Sequence, residues 1–134
     1  MNTKILFFAT LFLAAATQSC KKDEEHDHED VEVNISIASP TNTMHLHLND
    51  TLDIIATISS NIEIHGYEAT LKNLTADSTV WSMSEHEHGT SYSINGSWIN
   101  DVVDTSTMQL TIVAEVDHDG TTETKTVSFM CLPQ

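Results

Sequence analysis

The chain contains no arginine and only five lysines and two cysteines among its 134 residues, against twenty aspartates and glutamates. Each shortage narrows the field. Binding to nucleic acid needs cationic side chains that neutralise phosphate, and a formal net charge of −15 at pH 7 argues against it. The same imbalance favours solubility and attracts cations or basic partners. Cys20 closes an apolar leader, which leaves Cys131 without a partner, so no internal disulfide staples the fold and apolar packing must carry it. Neither a Gly-x-Ser-x-Gly elbow nor a phosphate-cradling glycine loop is present. Helical periodicity is hard to find beyond the leader, whereas period-two alternation is frequent.

At the amino terminus, Asn2, Thr3 and Lys4 precede an apolar run from Ile5 to Ala16, and small or polar residues lead to Ser19-Cys20. The run is short for a membrane span and reads as an export signal. Thr17-Gln18-Ser19-Cys20 resembles the lipobox of bacterial lipoproteins, in which a signal peptidase cuts before the cysteine and the thiol carries diacylglycerol. Thr17 stands where the common form has leucine, a looseness familiar in lipoproteins of the Bacteroidota. Lys21-Lys22-Asp23-Glu24-Glu25 resembles the lysine-plus-acidic signal that sends such proteins across the outer membrane, although an ordinary charged tether has the same composition. The resemblance implies a signal peptide over 1–19, lipidation at Cys20, and an outer-membrane lipoprotein facing the cell surface, anchored and not spanning.

Asp23 to Glu32 holds seven acids and two histidines with almost nothing apolar, so residues 20–32 are expected to form a lipidated, flexible acidic tether. Residues 33–134 then make one domain. Val33, Ile35 and Ile37 alternate with polar residues before Ser39-Pro40, and Met44, Leu46 and Leu48 alternate with His45 and His47. Leu52, Ile54, Ala56 and Ile58 form a further strand. Ile62 and Ile64 begin another, whose apolar phase shifts after Gly66 to Tyr67, Ala69 and Leu71, as at a bulge. Val80 to Met83 and Tyr92 to Trp98 follow. Met108 to Val116 alternates most cleanly, the Asp117-His118-Asp119-Gly120 turn comes next, and Val127, Phe129 and Cys131 point inward on the closing strand. The expectation is an all-β, antiparallel sandwich of seven or eight strands.

A first strand ending in Ser-Pro, a central Trp98 and a last hairpin built on Asp117-x-Asp119-Gly120 resemble the small immunoglobulin-like domains of Bacteroidota lipoproteins. The antibody-type Cys-Trp-Cys framework is absent, so the resemblance implies architecture and little about activity.

What the chain has in abundance is histidine in pairs: His26/His28, His45/His47 and His86/His88, with His65 and His118 besides. Imidazole is the commonest metal-binding side chain, and adjacent carboxylates lower the repulsion a divalent cation meets. Residues i and i+2 of a strand project from one face about 7 Å apart, so His45 and His47 can lean onto one ion. The same spacing serves a polar outer face. His86 and His88 fall in a polar loop. These four and His65 are the main candidate ligands. His26 and His28, in the tether, and the solitary His118 are secondary, weak ones. Histidine with carboxylate suits exchangeable zinc, or copper as second choice, with no organic cofactor. Met44 and Met83 could add soft donors, but core packing explains both.

Enzymatic templates fit less well. His86-x-His88 resembles the opening of a cupin motif, yet Ser91, Tyr92 and Ser93 occupy the region where its glutamate belongs. Copper-zinc superoxide dismutases also use His-x-His, but the arginine and disulfide of that family are missing. A non-enzymatic protein is therefore expected. Asp50-Thr51-Leu52 and Asp77-Ser78-Thr79 resemble O-glycosylation acceptors of Bacteroidota envelope proteins. Two functions stay open. One is a metal-capturing or buffering lipoprotein that hands the ion to an outer-membrane transporter. The other is an immunoglobulin-like module recognising an envelope protein or glycan, its histidines incidental.

Overall fold

The computed structural model describes residues 30–133. The expected signal peptide, lipidated Cys20, His26/His28 and all but the last three residues of the tether lie outside the described residues.

Strand faces follow alternation. In β3 (Thr51–Ile64), Leu52, Ile54, Ala56 and Ile58 are buried while Thr51, Asp53, Ile55 and Thr57 are exposed. In β7 (Ser106–Glu115), Met108, Leu110, Ile112 and Ala114 are fully buried, and the residues between them are only partly so. β-branched and small polar residues dominate both, as a pleated surface with one apolar face requires. The remaining strands are β1 (Val33–Ser39), β2 (His45–His47), β4 (Gly66–Asn73), β5 (Ser78–Glu85), β6 (Gly89–Ile99) and β8 (Thr122–Leu132).

They form two sheets, β1-β3-β6 and β2-β8-β7-β4-β5. Setting the short β2 aside, the first, second and fifth long strands make one layer and the others make the second, an immunoglobulin-like partition with the fourth strand beside the third. The inward residues of both layers build one core, including Ile54, Ile58 and Ile94 from the first sheet and Leu71, Leu110, Ile112 and Phe129 from the second. Each such side chain contributes about 1.5–3 kcal/mol by leaving water. Trp81 of β5 lies against Gly96 of β6, where a Cβ would collide with its indole. On the opposite side the Lys125 ammonium donates to the Ile35 carbonyl at 2.7 Å, linking β8 to β1.

Two features differ from the sequence expectation. β2 pairs with β8 in parallel, His45 opposite Met130 and His47 opposite Leu132, in a sandwich whose other pairings are antiparallel. Alternation within three residues carries no information on a partner's direction. The apolar phase shift after Gly66 is not a bulge within one strand: Leu52 to Ile64 is one strand, and the shift marks where the chain leaves the first sheet for the second.

Candidate metal centre

His65 is the single residue spanning the two sheets. Ile64 pairs with Gly89 in the first sheet and Gly66 pairs with Glu115 in the second. Between them the His65 N–H donates to the Glu115 carbonyl at 2.7 Å. The crossing needs Gly66, whose φ of 136° lies where L side chains rarely go, and whose Cβ, if present, would collide with the Glu85 carbonyl. A register shift prepares it, since the five steps from Ser59 to Ile64 oppose only the two from Ser91 to Gly89.

Because both neighbours of His65 are paired, whatever adjoins those partners is brought beside its ring. His88 immediately precedes Gly89. Tyr92 holds this loop, its hydroxyl lying 3.1 Å from the Ile64 carbonyl and in contact with the Glu87 carbonyl. His118 follows Glu115 by three residues, in the β7–β8 hairpin. Asp117 shapes that turn by accepting from the N–H groups of Asp119 and Thr121, both at 2.9 Å, and Gly120 completes it at φ 91°. A hydrogen bond from the Thr121 side chain, then the backbone bonds from Thr121 and Asp119, hold the Asp117 carboxyl below the usual carboxylate range.

The result is a group of three imidazoles, His65, His88 and His118, with one nitrogen from each within 4.8 Å of the others. Ring centroids are 4.4 Å apart for His65–His88, 3.7 Å for His65–His118 and 6.2 Å for His88–His118. His65 is half-buried and the other two are exposed. Desolvation, then the nearby His118 and His88, lowers the pKa of His65 below its ordinary value, which favours the neutral ring that a metal requires. Asp117 and Glu115 stand close enough to oppose that shift, so carboxylates border the imidazoles.

The donor set fits a borderline divalent ion such as Zn²⁺ or Cu²⁺. Zn–N bonds of about 2.0–2.1 Å place tetrahedral ligands about 3.4 Å apart, so side-chain rotation has roughly 1 Å to gather in. Three imidazoles leave one coordination position open, as in exchangeable sites and unlike closed structural ones. Among the described residues this is the one group of three or more potential ligands that meets.

The other candidates are placed differently. His86 is exposed, its Nδ1 3.4 Å from a Glu115 carboxylate oxygen, at the border of the group but outside it. His45 and His47 both face outward from β2 with Leu46 buried between them. They pair with the far end of β8, about 25–30 Å from the hairpin that carries His118. His47 is tied into local structure there. Its N–H donates to Asp50 Oδ2 at 2.7 Å, its carbonyl accepts from Asn100 Nδ2 at 2.9 Å, and its Nδ1 lies 3.1 Å from the Pro133 carbonyl. Met44 and Met83 pack against the core. The Cys131 thiol is buried, and burial followed by the Asp101 charge pushes its pKa up to about 11, so it stays protonated at neutral pH.

No protein-family model matches the chain, and no curated protein matches it. Among solved structures it is similar to the fibronectin(III)-like modules of Clostridium thermocellum CbhA, at 19% identity over 74% of this chain and 96% of that one, with a TM-score of 0.44. The sandwich class rests on the strand order itself.

Sequence spacing ranked His118 with the secondary ligands because it stands alone in a turn. The signal that places it is not local. Only the pairing of Gly66 with Glu115 puts that hairpin beside His65.

Proposed function

We propose that this protein is a non-catalytic immunoglobulin-like module that binds a divalent transition metal, zinc ahead of copper, at His65, His88 and His118. The observation that carries the reading is the approach of three imidazole nitrogens to within 4.8 Å, contributed by three separate connections between strands. Acidic side chains surround them: Glu85, Glu87 and Glu63 lie near Tyr92, and Glu115 and Asp117 near His65. The two lysines of the described part are engaged elsewhere, Lys72 with Asp77 at 2.6 Å and Lys125 with the Ile35 carbonyl. A cation is therefore attracted and, among the described residues, meets no lysine left free to repel it. With the lipobox-like Cys20, the reading becomes an outer-membrane, surface-facing lipoprotein that captures or buffers the metal and passes it to a transporter. The open coordination position and exposed imidazoles support exchange over permanent retention.

Titration with Zn²⁺ and Cu²⁺ tests this. The expected result is one ion per chain at about micromolar affinity or tighter, lost on combined His65→Ala, His88→Ala and His118→Ala substitution. A triple variant that binds as tightly as the parent overturns the metal reading. In that event the second reading takes its place: an interaction module for an envelope protein or glycan, its histidines incidental. That reading is favoured by the immunoglobulin-like architecture and by the outward-facing His45 and His47, which join no cluster.

A further inference from the structure

The fourth coordination position has a carboxylate beside it. Glu115 ends β7, paired with Gly66 on one side and Thr122 on the other, and its carbonyl accepts the His65 N–H at 2.7 Å. Its main chain is therefore fixed against the strand crossing that carries His65, and only the side chain is left to move. The carboxylate adjoins two imidazoles. Oε2 lies 3.4 Å from His86 Nδ1, and the negative charge is close enough to His65 to oppose the lowering of its pKa. The side chain is 37% exposed, and its one ion pair among the described residues is the one with His86. Asp117 also borders His65, but its Oδ1 is taken by the N–H groups of Asp119 and Thr121, which set the turn. Swinging that carboxylate onto an ion would cost the hairpin its acceptor. Glu115 has no such duty, and rotation about χ1 and χ2 carries its carboxylate between staggered positions.

We propose that Glu115 supplies the fourth ligand, one carboxylate oxygen on the ion and the other steadied by His86, and that the centre thereby selects a divalent ion over Cu⁺. This rests on the proposed function and deepens it. Ligating carboxylates are themselves held by polar partners, and His86 stands where that partner is needed. His86 is then a positioning residue and not a ligand, which agrees with its place outside the group of three. Three imidazoles with a charged oxygen suit Zn²⁺ or Cu²⁺, whereas Cu⁺ prefers thiolate or thioether. The sulfurs of the fold are spent elsewhere: Met44 and Met83 pack against the core, and Cys131 is buried. A carboxylate on an exposed arm also leaves readily, so the ion stays exchangeable.

The test compares the parent with Glu115→Gln, Asp117→Asn, His86→Ala, His86→Gln and the triple variant of the centre. Zn²⁺ and Cu⁺ affinities are measured by competition, Cu⁺ under reductant, and Co²⁺ serves as a visible probe of coordination. Glu115→Gln and Asp117→Asn each remove one negative charge beside His65 while keeping an amide oxygen as acceptor, so lost attraction alone affects both alike. Glu115→Gln is expected to bind Zn²⁺ about ten-fold more weakly than Asp117→Asn, with altered Co²⁺ bands as water replaces the carboxylate. Cu⁺ affinity should differ between those two variants by less than about two-fold. His86→Ala should weaken Zn²⁺ binding about three-fold, since its pair with Glu115 is exposed, and His86→Gln, which still donates, should restore it. Equal Zn²⁺ affinities and parent-like Co²⁺ bands in Glu115→Gln and Asp117→Asn, with binding lost in the triple variant, overturn the inference and leave the metal centre standing. Altered Co²⁺ bands in His86→Ala that His86→Gln does not restore would make His86 itself the ligand, and overturn it too. Undiminished binding by the triple variant removes the centre and the inference with it.

Discussion

The two ends of the sandwich each present histidines, but only one end gathers them. At the β2 end, His45 and His47 have the spacing that reads best in sequence, and they project side by side from a three-residue strand without joining a group of three potential ligands among the described residues. At the other end, single residues from the β3–β4 crossing, the β5–β6 loop and the β7–β8 hairpin come together. Spacing along one strand aligns two donors at most. A third must come from elsewhere in the chain, and that depends on which strands are neighbours.

The largest effect on this contrast is expected from Gly66→Ala. A Cβ there meets the Glu85 backbone, which cannot swing aside as a side chain can, and φ at 136° is strained for alanine in any case. A loss of about 3 kcal/mol or more in urea unfolding is expected, together with loss of metal binding, because the crossing that holds His65 must move. Gly120→Ala is the control in the same region. Its φ is 91° but a Cβ would meet nothing within 4 Å, so only the backbone cost of about 1 kcal/mol should appear. Equal losses for the two variants would show that the crossing is not tightly constrained.

Next in size is Asn100→Ala, at the opposite end. Asn100 is fully buried; its Nδ2 donates to the His47 carbonyl and its Oδ1 accepts from the Val102 N–H at 3.0 Å. Truncation leaves the Val102 N–H without its partner, while the His47 carbonyl keeps the Asp50 N–H at 3.0 Å, at a cost of about 2 kcal/mol. Zn²⁺ affinity should change by less than about two-fold, since distant sites without shared partners act independently. A larger change would mean the two ends are coupled and the contrast between them is overdrawn.

Much of the fold was legible. The alternation from Met108 to Ala114 and from Leu52 to Ile58 assigned the buried faces, and Asp117 to Gly120 marked the last hairpin, because local periodicity and turn chemistry are local properties. Pairing is not a local property. The parallel docking of β2 on β8 left no trace in Met44 to Leu48, and the phase shift after Gly66 looks alike whether a strand bulges or changes sheet. The centre was half legible for the same reason. Residue type singled out histidine, but the separation of His86 from His88, and the arrival of His118 at His65, follow from strand neighbours that sequence spacing does not encode.

The smallest stability effect, and the finest probe of how the centre is held, is Tyr92→Phe. The Tyr92 hydroxyl lies between the Ile64 and Glu87 carbonyls, next in sequence to His65 and His88 respectively, and so fixes the spacing of two ligands without touching metal itself. Its ring stays packed edge-on to Tyr67, with centroids 5.5 Å apart, so phenylalanine keeps the apolar contact and loses about 1 kcal/mol. Metal affinity should fall about ten-fold, as expected for groups that orient ligands. The alkaline limb gives an independent readout. Burial, then the charges of Glu85, Glu87 and Glu63, raises the Tyr92 pKa in the folded state. Its contribution is therefore fully present below the unfolded value of about 10 and lost as pH climbs through the folded one. Tyr92→Phe should unfold less steeply with pH in that range, while Tyr67, also raised by burial and by Glu85, retains part of the slope. Weakened metal binding with an unchanged alkaline limb would put the hydroxyl's role outside the folded-state bonds to Ile64 and Glu87. An unchanged affinity would instead show that the β5–β6 loop finds its place without Tyr92, from its pairing at Gly89 alone.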